Sequence, residues 1–68
     1  MTLKEMFSVE YCDNVNIKIY DETENREVYN GEGRELFLIM RNNISMIPKA
    51  YRDVKLIDQY NGVILITI

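Results

Sequence analysis

The sequence predicts an α+β fold: a single layer of four mostly antiparallel strands in two hairpins, one amphipathic helix on one face, and a short N-terminal helical turn. Three features predict it. The closing stretch VKLIDQYNGVILITI contains two strand-like runs that meet at Asn61-Gly62, the dipeptide suited to a two-residue type I′ turn. Asn14 to Tyr20 alternates polar and apolar residues with period two, as a half-buried strand does. Between these, at 100° per residue, Leu36, Phe37, Ile39, Met40, Ile44, Met46 and Ile47 fall in one arc, opposite Arg34, Glu35, Arg41, Asn42 and Ser45.

In order along the chain, Thr2-Leu3-Lys4-Glu5 has the spacing of a capping box, in which hydroxyl and carboxylate satisfy free backbone N–H groups at a helix start. A turn this short needs docking, and Leu3, Met6 and Phe7 supply the apolar contacts. Val15, Ile17 and Ile19 share one face of the first strand. Asp21-Glu22-Thr23-Glu24-Asn25 reads as a solvated turn, and Arg26 to Tyr29 as a weak returning edge strand, ended by Gly31 and Gly33. Leu36 to Met40 is an unbroken apolar run that periodicity alone leaves open between helix and strand. The wider arc favours a helix from about Arg34 to about Ile44, with only Leu38 and Asn43 out of phase. Pro48 blocks its continuation. A connection over 49–53 leads to the last hairpin, and residues 1–68 form one small domain.

The Asn61-Gly62 turn fixes register, pairing Tyr60 with Val63, Asp58 with Leu65 and Ile57 with Ile66. One face of the hairpin then carries Lys55, Ile57, Gln59, Ile64, Ile66 and Ile68. The other carries Val54, Leu56, Asp58, Tyr60, Val63, Leu65 and Thr67. One helix covers one face, so Leu56, Tyr60, Val63 and Leu65 become a candidate protein interface. Pairing with a second copy as a homodimer, edge to edge or face to face, would cover them. The alternative is that the N-terminal turn folds over this face.

Composition narrows the function classes. The 47% hydrophobic and 28% charged fractions suit a folded chain. With a single Cys and no His, neither disulfides nor ordinary zinc sites are expected. The lone cysteine and the start MTLKEMFSV, without a basic leader, predict a cytoplasmic protein, and no apolar stretch is long enough to cross a membrane. The net charge of −3 is unevenly spread: residues 1–33 have three cations against eight anions, and residues 34–68 five against three.

The stretches MTLKEM, NIKIYDE, EVYNGEG, PKAYRDVKLI and NGVILITI resemble those of small prophage and mobile-element proteins of Gram-positive (Firmicutes-type) gut bacteria. The likeness spans most of the chain and consists of fold-level patterning. What it implies is a phage-like genetic context, with no chemical motif to carry over.

No catalytic constellation emerges, and a non-enzymatic chain without cofactor or metal is expected. Cys12 sits among Glu10, Tyr11 and Asp13, which favour the unreactive protonated thiol. Asp21, Glu22 and Glu24 lack the spacing of a calcium loop, and Gly31-Glu32-Gly33 lacks the lysine of a phosphate loop. Arg34, Arg41, Lys49 and Arg52 form a candidate basic surface, and a nucleic-acid-associated accessory role is the alternative reading. The acidic overall balance disfavours it. The favoured expectation is a small interaction protein of phage type that binds a protein partner of unknown identity and inhibits a host or defence protein.

Overall fold

A computed structural model describes residues 1–7, 15–47 and 49–68, the side chain of Tyr60 excepted. Helix α1 is the single turn Leu3–Met6. Its capping box is complete, with Glu5 N–H donating to Thr2 Oγ1 at 3.1 Å and Thr2 N–H donating to Glu5 Oε1 at 2.9 Å. Strand β1 is Asn16–Asp21 and β2 is Arg26–Glu32. Helix α2 runs Gly33–Asn42 and is followed by a 3₁₀ turn, Ile44–Met46. Strands β3, Leu56–Tyr60, and β4, Val63–Thr67, close the chain.

The four strands form one sheet in the order β2-β1-β4-β3. Both outer pairs are antiparallel hairpins, and the central β1–β4 pair is parallel. The chain thus builds one hairpin, crosses over through α2, and lays the second hairpin beside the first. The terminal hairpin has the register set by its turn: Tyr60 opposite Val63, Asp58 opposite Leu65 and Ile57 opposite Ile66. Asn61 and Gly62 take φ of 51° and 73°, the pair of positive values that a type I′ turn requires.

Among the described residues, the fully buried apolar side chains lie on one side of the sheet. Ile17 and Ile19 of β1 and Ile66 and Ile68 at the end of the chain meet Leu36 and Met40 of α2. Leu3, Phe7, Ile47 and Ala50 complete this core. Helix α2 packs over β1 and β2. The α1 turn instead bonds to the 50–54 segment, with Leu3 N–H donating to Arg52 O and Lys4 N–H to Ala50 O.

Four local expectations are corrected. Gly31 does not end β2 but lies within it opposite Ile17, against the Tyr29 ring, whose hydroxyl is 2.8 Å from where a Cβ would stand. Gly33 is the first, buried residue of α2, so strand passes into helix without a loop. Met46 is exposed because the 3₁₀ turn breaks the 100° period that placed it in the apolar arc. Val54 precedes β3, escapes its alternation and packs against the core. No helix among the described residues is long and apolar enough to cross a membrane.

Candidate functional site

Because paired residues on neighbouring strands point to the same side, the register defines row by row the face that no helix among the described residues covers. One row runs Glu32, Asn16, Val63; the next Asn30, Lys18, Leu65, Asp58; the third Glu27, Tyr20, Thr67, Leu56. The face is therefore divided. Over β2 and β1 it is polar and carries the Lys18–Glu27 ion pair at 3.5 Å. Over β4 and β3 it is apolar, with Val63 and Leu65 half-buried and Leu56 60% exposed. Of the four candidate interface residues, three are placed here by their side chains. The backbone of Tyr60 occupies the register position beside Val63, and its side chain lies outside the described residues.

The N-terminal turn does not cover this face. Leu3 and Phe7 belong to the same core cluster as Ile17, Ile19 and Ile66, which point to the opposite side. The cover on that side also stops short of the outermost strand: Ile57, on the helix side of β3, is 51% exposed. Met1, Val54, Lys55, Leu56 and Ile57 line a shallow cleft around the start of β3.

The outer edge of β3 is partly closed. In a hairpin with a two-residue loop, alternate residues direct their backbone groups away from the partner strand, here Ile57 and Gln59. The Gln59 N–H donates to Asp58 Oδ1 at 2.9 Å and so is taken by its own neighbour. Ahead of β3, Thr2 bridges Asp53, and Val54 N–H donates to Met1 O at 2.8 Å. Among the described residues, the Ile57 N–H and C=O and the Gln59 C=O remain open on this edge, a short stretch that limits edge-to-edge pairing.

The candidate basic surface is divided as well. Arg34 and Arg41 are exposed on α2. Lys49 and Arg52 are instead drawn together by Asp21, whose side chain is wholly inaccessible. Arg52 Nη1 lies 3.3 and 3.2 Å from the two Asp21 carboxylate oxygens, and Arg52 Nη2 donates to Thr23 Oγ1 at 2.7 Å. Lys49 Nζ reaches Asp21 at 3.4 Å and Glu24 at 2.9 Å. Thr23 and Glu24 N–H groups also donate to Asp21 Oδ1. Among the described residues no group of three potential metal ligands occurs.

Burial alone would raise the Asp21 carboxyl pKa. The Glu24 N–H, the Lys49 ammonium, the Arg52 guanidinium and the Thr23 N–H together hold it below its ordinary value. The Lys49 pKa is raised by its hydrogen bond to Glu24, against the opposing effect of burial, with Asp21 adding to the rise. Asp21 is thus no part of a solvated turn. It is the buried anchor of the turn, and period two along β1 carries the signal, since Ile17, Ile19 and Asp21 share one phase. Cys12 and its acidic neighbours lie outside the described residues.

No family model, curated protein or solved structure matches the chain.

Proposed function

We propose that this chain is a non-enzymatic interaction protein that acts by binding protein through the open half-face of β3 and β4, around Leu56, Tyr60, Val63 and Leu65. The observation that carries the reading is the division of the open face: the side of the sheet without a helix among the described residues is apolar over the terminal hairpin and polar over the first. An apolar strip bounded by charged residues has the make-up of an interface core and rim. The lone cysteine supports a cytoplasmic setting, and the resemblance of the residue patterning to small prophage and mobile-element proteins favours a host or defence protein, blocked by occupancy, as the target. Against a nucleic-acid role stand the carboxylates that already neutralise Lys49 and Arg52.

Affinity capture from a bacterial lysate, with wild type and Leu65→Asp side by side, tests the proposal. A protein retained by wild type should be lost by at least roughly tenfold in the variant, since a charge in the centre of an interface is unpaired on binding. Recovery of no protein, together with DNA or RNA binding that falls steeply with salt, would overturn it.

A further inference from the structure

The geometry points to a second copy of this chain as the occupant of the open sheet face, stacked face to face about a two-fold axis that runs along β4. The inference rests on the protein-binding reading above and names the partner of that same surface.

Charge placement selects both partner and axis. In the middle row, Leu65 has Lys18 on one side, across the parallel β1–β4 pair, and Asp58 on the other, across the hairpin. At ordinary strand spacing each stands about 4.8 Å from Leu65, so the row presents cation, apolar residue, anion. Rotation by a half-turn about β4 reverses left and right. Leu65 then meets Leu65 of the second copy, Lys18 meets its Asp58, and Asp58 meets its Lys18. The same rotation brings Leu56 of one chain over Tyr20 of the other, and Val63 over Val63. A two-fold axis across the strands would instead set Lys18 against Lys18 and Asp58 against Asp58, which repel. Both arrangements keep the strands of the two sheets aligned, as sandwiches require, so the charges alone decide between them.

The remaining contacts of these two residues are compatible. Lys18 and Glu27 are both about half exposed, and an exposed pair of this kind holds its partners only weakly. Asp58 uses Oδ1 for the Gln59 N–H and leaves Oδ2 free for a cation across the interface. The partly closed edge of β3 turns association from the edge to the face. Strands of five to seven residues, with β1, β4 and β3 of each copy overlapping, give a contact roughly 17 Å by 14 Å, or about 240 Å² of footprint on each copy. Summed over both copies this falls well below the ~1,200 Å² lower bound for stable specific interfaces, and corresponds to a weak, transient dimer.

Sedimentation equilibrium of the full chain, over a dilution series from roughly 10 µM to 2 mM, tests this with three variants. Asp58→Lys and Lys18→Asp each place two like-charge pairs in the dimer and should weaken it by about tenfold or more. The double exchange Lys18→Asp/Asp58→Lys keeps the net charge and restores both pairs, so it should recover wild-type association. Circular dichroism of each variant confirms folding, since both positions are exposed. A monomeric wild type at all concentrations, or a double variant no better than the singles, would overturn the inference. If Leu65→Asp still abolishes capture of a foreign protein in that case, the interaction reading stands with another occupant. If that capture fails too, both readings fall.

Discussion

Asp21→Asn removes the negative charge that two partly buried cations share, and leaves Arg52 and Lys49 without their common anion. Unfolding by urea should show this variant less stable than wild type at pH 7. The pH dependence follows from the direction of the shift. A carboxyl whose pKa is lowered in the folded state contributes stability that is fully present above its unfolded pKa of about 3.9. That contribution is lost as pH falls through the lower folded value. The gap between wild type and Asp21→Asn should therefore be constant near neutrality and narrow below about pH 4. A gap independent of pH would mean that the carboxylate acts through shape rather than charge. Gly62 is a second residue with a definite requirement. Its φ of +73° lies where side chains are strained, although no atom stands within 4 Å of a Cβ there. Gly62→Ala should cost about 1–2 kcal/mol through backbone conformation alone, read as a shift in the urea midpoint.

For the elements, helical phase makes the sharpest prediction. Leu36 is completely buried under α2, while Leu38, two residues on, is 47% exposed. Leu36→Ala should destabilise by about 2–5 kcal/mol and Leu38→Ala by no more than about 0.5 kcal/mol, both measured by denaturant unfolding. Equal effects would contradict the packing of the helix. The phase was legible because α2 holds a regular period from Leu36 to Met40; it was lost at Met46, where a 3₁₀ turn resets it. The terminal hairpin was legible to the residue because Asn61-Gly62 selects one turn type, and that turn fixes every pair. The second strand was underestimated. A bulge between Ile19 and Tyr20 breaks its register, and the glycine at position 31 is there to let Tyr29 fold across it rather than to end the strand. The Tyr29 hydroxyl then donates to Glu32 O at 3.1 Å.

Across the whole molecule, the sheet order depends on contacts that no local pattern encodes. Nothing in NIKIYD or VILIT announces that these segments lie side by side in parallel, 47 residues apart in register. The same holds for Asp21 and Arg52, separated by 31 positions and joined only by the fold. That pairing is also why the five cations of the second half do not act as one field. The common placement of the apolar candidates was more legible than that of the basic ones for the same reason: Leu56, Val63 and Leu65 belong to one hairpin, whose geometry is local, whereas the environments of Lys49 and Arg52 are set by a distant turn. The parallel pairing places Lys18 beside Leu65, and this juxtaposition gives the open face its cation–apolar–anion row.

Methyl NMR of leucine- and valine-labelled protein, followed on dilution, tests the central claim most directly. If the open face is covered by a second copy, the methyl resonances of Leu56, Val63 and Leu65 shift together as the concentration falls, while those of the buried Leu3 and Leu36 stay in place. Resonances of the three that do not move with concentration, or move no more than those of the core, would contradict it.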